Sequence, residues 1–536
     1  MATQFDAVIV GAGFAGMYML HKLRGQGLSA RVYEAGDGLG GTWHWNRYPG
    51  ARVDIESQEY GFSFDEALDR EWQWSERYAT QPELLAYVNH VADRFDLRRD
   101  IQLETRVTAA HYDEAANEWR VQTDQGDDVR ARYCIMATGC LSTPKEIDLE
   151  GIGDFTGTVY KTFAWPREGV DFTGQRVGVI GTGSSAIQSI PVIAAQAAQL
   201  TVFQRTPNYC VPANNGPIPP EKLADWDANR AAYRAEAKAS PYGALFRGGE
   251  AMITEVSRDE SDAEYERRWQ IGGLQTLTAY VDVGVDLKAN AIAADFFARK
   301  IASIVKDPET ADKLTPKTYP LGTKRLCVDT GYYATFNEPH VSLVDLRATP
   351  IDRITATGIK TSAGEHAFDA LVLATGFDAM TGTLTKIDIV GRAGLSLRDK
   401  WADGPLTYLG LMIAGFPNLF TITGPGSPSV LTNMIMSIEQ HVEWIADCID
   451  HLETHQQRVI EAMPQAEAQW VAHVNEVADT TLYPQANSWY MGANVPGKPR
   501  VFLPYVGGLN LYTDACNDVV AKGYQGFVIG GARAMA

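Results

Sequence analysis

The sequence is poor in cysteine, in long apolar runs and in positive charge. Its 536 residues include six cysteines, at positions 134, 140, 210, 327, 448 and 516. No two have CxxC spacing, which disfavours zinc ribbons, thioredoxin-like exchange and a disulfide reductase. Scattered thiols suit a reducing compartment, and a cytoplasmic location is expected. No apolar run approaches the roughly 20 residues of a membrane span. Residues 1–6 are too short and too polar for a signal peptide. Lys and Arg number 47 against 66 Asp and Glu, a formal charge of −19. Such a chain is repelled by nucleic acid and acidic membranes, so neither is expected as a partner. No metal site is expected: His451 and His455 stand one helical turn apart but lack the zincin order, and read as a solvated helix face.

What is present is ordinary for a globular enzyme: 45% hydrophobic and 21% charged residues. The length allows two or three domains. Residues 6–10 form a short apolar run without alternation, the mark of a parallel strand buried on both faces. Gly11, Gly13 and Gly16 follow, then a helical pattern through Met17, Leu20 and Leu23, then a second strand ending at Glu34. A strand–glycine loop–helix–strand order is what dinucleotide binding requires. Gly11 permits the turn, Gly13 lets the backbone approach a pyrophosphate, and Gly16 allows close helix–strand packing. The helix N-terminus faces the phosphates, and Glu34 lies where an acid binds a ribose hydroxyl.

The same order returns from Arg176, with Gly181, Gly183, Ser184 and Ser185 in the loop and Ala186 in place of the third glycine. Its second strand ends in Gln204 and Arg205, with no acid. A carboxylate there would repel a 2′-phosphate and an arginine attracts it. The first unit therefore suits FAD and the second NADPH. Ala137 to Gly139 and Ala374 to Gly376 each end an apolar strand with a turn beside a nucleotide. The expected fold is α/β, with two doubly wound Rossmann-like dinucleotide-binding domains and a helical insertion. The FAD domain is expected at 1–140 and 378–536 and the NADP domain at 141–377, with the insertion at about 215–320, where alternating charge and alanine dominate.

Two further segments resemble fingerprints of the Baeyer–Villiger monooxygenases. One is Gly40, Gly41, Thr42 and Trp43 followed by Tyr48, Pro49, Gly50 and Asp54. The other runs from Phe155 to Trp165 and Pro166, with Lys161 where the family usually has His. The likeness extends over nearly the whole chain, through Lys324 and Arg325, the 374–377 turn, the 424–429 loop and the 488–494 segment. The last-but-one of these loops likens it more to the phenylacetone and steroid monooxygenases than to the cyclohexanone enzymes. The resemblance implies an NADPH-dependent flavoprotein that uses O2, through a C4a-peroxyflavin, to convert a ketone into an ester or lactone. It implies that Arg325 is the catalytic cation and that Asp54 orients it. It adds Gly41, Thr42, Trp43 and Asp54 to the flavin site, and Arg205, Thr206, Lys324, Arg325 and Trp489 to the NADP site. It places Val430, Leu431 and Met434 in the substrate pocket. A monomer is expected. The alternatives are a flavin oxygenase acting on sulfides or amines, and a non-catalytic nucleotide sensor on the same fold. The ketone itself is not named by these motifs.

Overall fold

The computed structural model describes residues 3–145 and 148–532. Strand Thr3–Val10 lies at the centre of the first sheet. It pairs in parallel with Ala30–Tyr33 on one side, Val10 opposite Tyr33, and with Asp128–Met136 on the other, Val10 opposite Met136. Ala7 to Val10 are buried, as befits a strand covered on both faces. Ile101–Gln102 extends the sheet beyond Ala30–Tyr33. Leu419–Thr421, far along the chain, pairs in parallel with the end of Asp128–Met136. The antiparallel strands Val107–Asp113 and Glu118–Thr123 join at the start of Asp128–Met136, and Asp388–Val390 lies at their edge. Helix Phe14–Gly25 covers one face, and the long helix Met434–Thr454 packs on it.

The second sheet is wholly parallel. Its order is Val341–Asp345, Gln199–Gln204, Arg176–Ile180, Ala370–Leu373, Thr158–Lys161. Helix Ser184–Ala194 follows its central strand, as Phe14–Gly25 follows the first. The expected α/β class with two dinucleotide-binding units is the observed one.

Between Gln199–Gln204 and Val341–Asp345 of the second sheet the chain runs through helices Pro220–Ala239, Arg258–Ile271, Leu287–Ile304 and Pro308–Leu314. The segment leaves and returns through a two-stranded parallel pair, Cys210–Pro212 with Cys327–Asp329. Chain order groups these helices with the second unit. Packing divides them: Tyr265, Trp269, Phe296 and Phe297 share one core with Tyr78, Tyr87 and Phe62 of the first, whereas Ile301, Ala311 and Leu314 lie in the core of the second. The physical reason is area, because the aromatic face of Arg258–Ile271 and Leu287–Ile304 is buried against the larger apolar surface beside it. Among the described residues no helix is long and apolar enough to cross a membrane, and no group of His, Cys, Asp and Glu could hold a metal ion. His451 and His455 lie with ring centres 4.1 Å apart, tilted to each other, at the C-terminal end of their helix.

Candidate functional site

The two glycine loops face one cavity of about 1740 Å³. Gly11 has φ +103°, and a Cβ there would lie 2.6 Å from the Ala137 carbonyl oxygen. Gly181 has φ +116°, and its Cβ would lie 2.3 Å from the Ala374 oxygen. Each loop thus presses on the strand end that the sequence marks with Ala-Thr-Gly. A Cβ on Gly16 would sit 1.9 Å from the Gly11 oxygen, so that glycine serves helix packing and does not reach the cavity. Gly13, Gly183, Ser184 and Ser185 line the wall at the two helix N-termini, where unpaired N–H groups favour an anion. A Cβ on Gly183 would meet nothing, and one on Gly13 only Gly41, which leaves both loops open to a pyrophosphate. Gly41 itself takes φ +53° and starts the short helix Thr42–Trp45, which brings Thr42 and Trp43 to the wall.

The strand ends differ. The Glu34 carboxylate is buried and accepts the N–H of Ala12 and of Gly36, both at 2.8 Å, which fixes it beside the first loop. In the second unit Gln204 turns inward and donates to the Lys313 carbonyl, while Arg205 is exposed on the cavity wall. Thr206 and Lys324 join it there. Two cations that the sequence did not single out complete the group, Arg347 and Lys145. Arg347 donates to Thr318 Oγ1 at 3.1 Å and Thr206 Oγ1 at 3.4 Å. Its signal lies in sheet order: Asp345 is the register partner of Gln204, so the two strand ends deliver Arg347 and Arg205 together. Lys324 donates to the Asn487 carbonyl and lies 4.9 Å from the Tyr319 ring centre. Burial, then Arg205 and Arg347, push its ammonium down to about 8. Burial and Arg205 lower Lys145 as well. Among the described residues no carboxylate is paired with Arg205, Lys324 or Arg347, and a phosphate dianion is the kind of group that would offset their charge.

Arg325 and Asp54 meet across the cavity in a two-pronged ion pair. Nε donates to Oδ2 and an Nη to Oδ1, both at 2.9 Å, and the other Nη donates to the Val430 carbonyl at 3.1 Å. Burial would lower the guanidinium, but the Asp54 charge outweighs it and the net shift is upward. About a quarter of each side chain stays exposed. Asp54 reaches this place because its fingerprint docks on the second unit. Tyr48 Oη donates to Gln188 Oε1 at 2.9 Å, Gln188 returns a bond to the Arg52 carbonyl, and Gly50, φ +80°, lies where a Cβ would be 2.3 Å from the Gln188 oxygen. The spacing from Gly40 to Asp54 therefore spans from one nucleotide loop to the other.

The second fingerprint contributes Phe163 and Ala164 to the wall. Trp165 is buried against Tyr160 and Phe172 in the second core. Lys161 is exposed, 5.8 Å from the Phe163 ring, and is not on the wall. Trp489 lines the cavity and leans on the buried Tyr490, with ring centres 4.2 Å apart. Val430 and Met434 line it too, but Leu431 does not; it packs on the main core. The reason is the 3-10 turn Ser429–Leu431, in which successive side chains point about 120° apart.

Comparison with known proteins agrees with this geometry. Residues 8–225 match a family described as pyridine nucleotide-disulphide oxidoreductase. A Baeyer-Villiger monooxygenase of Pseudooceanicola batsensis is 43% identical, over 98% of this chain and 97% of its own. Phenazine N-monooxygenase PhzNO1 of Lysobacter antibioticus is 41% identical, over 98% and 97%. An oxidized steroid monooxygenase bound to NADP superposes with a TM-score of 0.95 at 50% identity, covering 98% of this chain and all of that one.

Proposed function

The chain belongs to the Baeyer–Villiger monooxygenases, FAD- and NADPH-dependent enzymes that use O2 to turn ketones into esters or lactones, and from that premise we propose that Arg325, held by Asp54, is its catalytic cation. The observation that carries this reading is the two-pronged ion pair at the meeting of the two units. Bound along the first loop, FAD supplies the oxygen-activating chemistry, with NADPH as its reductant.

The protein's own groups do the rest. Arg325 stays protonated at any working pH, so its fork is a fixed donor to an oxygen that gains negative charge, first on the oxidant and then on the former ketone carbonyl. Asp54 and the Val430 carbonyl hold the fork in one orientation, so little reorganisation is needed at the moment of reaction. Glu34 holds a ribose, and Gly41, Thr42 and Trp43 close over the flavin. Arg205, Thr206, Lys324, Arg347 and Lys145 hold the 2′-phosphate. Trp489 shields the nicotinamide end from water. Val430 and Met434 border the ketone.

Both cradles and the Arg325–Asp54 pair are built from a single chain, so the proposed site needs no residue of a second copy. Six buried free thiols support a cytoplasmic setting. The N-oxygenating relative supports a second reading, oxidation of an amine or sulfide. Incubation with NADPH, O2 and a panel of aryl, cyclic and steroidal ketones, sulfides and amines, with products identified by gas chromatography, decides between them. Ester or lactone is expected; heteroatom oxides alone would select the second reading.

A further inference from the structure

Cys210 and Cys327 are more than a hundred positions apart in sequence but face each other in space. They are register partners in the parallel pair that opens and closes the helical segment. Adjacent strands lie roughly 4.8 Å apart, within the Cα separation that a disulfide spans. Both side chains lie in one core, and both thiols bond locally in the same way, to the carbonyl two residues before: Cys210 to Asn208, Cys327 to Arg325. Cys327 Sγ also lies 3.3 Å from Ser184 Oγ, and Ser184 is on the wall of the nucleotide cavity. A single side chain therefore separates this thiol from the nucleotide cavity.

We infer that Cys210 and Cys327 form a peroxide-oxidisable dithiol, a disulfide-forming site at the base of the helical segment, wired to the NADP loop through Ser184. The oxidant is hydrogen peroxide, the two-electron reduction product of O2 that reduced flavin releases when no ketone intercepts it. Cys327 sulfur attacks one peroxide oxygen; the O–O bond breaks, water leaves and a sulfenic acid forms. Cys210 sulfur then attacks Cys327 sulfur, the S–O bond breaks and a second water leaves. Two thiols have lost two electrons and one peroxide has gained them. The order follows the surroundings. Hydrogen bonds from Cys210 and Ser184 favour the Cys327 thiolate, whereas burial and the Cys327 neighbour raise Cys210. Closing the bond draws Cys327 away from Ser184, at the mouth of the NADP helix, and ties together the two strands through which the helical segment joins the second unit.

The test is thiol mapping of the FAD-loaded enzyme after graded hydrogen peroxide. After unfolding and alkylation, the expected result is a linked pair of peptides holding Cys210 and Cys327, two hydrogens lighter than the reduced pair, with the other four thiols alkylated. The oxidised enzyme should keep FAD while its KM for NADPH rises by roughly two- to tenfold, the equivalent of one lost hydrogen bond. Dithiothreitol should reverse both changes. Cys210→Ser should instead strand Cys327 on the oxidation ladder, so that dithiothreitol after high peroxide restores less activity than in the parent. The inference is overturned if Cys210 and Cys327 both remain alkylatable at doses that oxidise methionine, if the disulfide joins other cysteines, or if Cys210→Ser recovers as fully as the parent.

Discussion

The two nucleotide loops share a backbone and differ in what surrounds it. Gly11 and Gly181 take φ +103° and +116°, and each presses on the carbonyl of an alanine that ends a neighbouring strand. The helices start at Phe14 and Ser184 with the same glycine before them. Past that point they diverge. The first loop has a buried acid tied to the loop N–H of Ala12; the second has an inward glutamine and an arginine among other cations. The first has Gly16 where a methyl would strike backbone, and the second accommodates the buried Ala186. Backbone geometry is thus common to both loops, and charge at the next strand end is what tells them apart.

The comparison can be broken most forcefully at its shared element. An alanine at either positive-φ glycine is strained whatever the space, and here it also meets a carbonyl oxygen. Gly11→Ala is expected to lose FAD, read as flavin absorbance per protein after gel filtration. Gly181→Ala should keep FAD but raise the KM for NADPH by roughly 100-fold or more, for strain of about 3 kcal/mol. Loss of flavin from both variants would mean that the loops do not divide the cofactors between them.

Changing charge rather than backbone should have a smaller effect. A hydrogen bond to a charged group is worth about 1.5–3 kcal/mol, roughly 10- to 150-fold. Lys324→Ala should raise the NADPH KM within that range. Arg205→Ala should fall near its lower end, because that side chain is exposed and screened. Neither should change NADH kinetics, and a parallel rise with NADH would place these residues elsewhere than at the 2′-phosphate.

Smaller still is a pH effect. Lys324 sits lowered to about 8 by burial, Arg205 and Arg347. A bound dianion stabilises its protonated form, so affinity is full below that value and weakens as pH rises through it. The NADPH dissociation constant should therefore climb above about pH 8, and Arg205→Ala should move the break upward by removing a repelling neighbour. A break that stays in place would disconnect the two cations. The smallest change is expected from Lys161→His, since that side chain is exposed and off the cavity wall. Rates should shift only modestly and the product not at all; a new product would give this position a direct part in the chemistry.

Glu34, Asp54, Arg205, Lys324 and Arg325 line the cavity to which motifs pointed them, because each stands at a fixed step from a strand end or a fingerprint. They could not carry Arg347 or Lys145, whose place depends on which strands are neighbours. Leu431 was misplaced because a tight turn aims adjacent side chains apart. That the aromatic face of the helical segment packs on the first unit was invisible to chain order, since packing area rather than connectivity chose it. The Cys210–Cys327 pair was invisible to spacing because strand register brings together residues far apart in sequence.

The central claim rests on Arg325, and its most direct test is product formation by Arg325→Ala with FAD content measured on the same sample. The first loop and Glu34 are untouched by this change, so FAD should be bound in full. Removing one positioned oxyanion donor costs roughly 100- to 1,000-fold, and this donor is a full charge, so ester formation should fall by at least that factor. Asp54→Ala should fall in the same direction but less far, because Val430 still holds one prong. Ester made by flavin-loaded Arg325→Ala at near the parent rate would contradict the account.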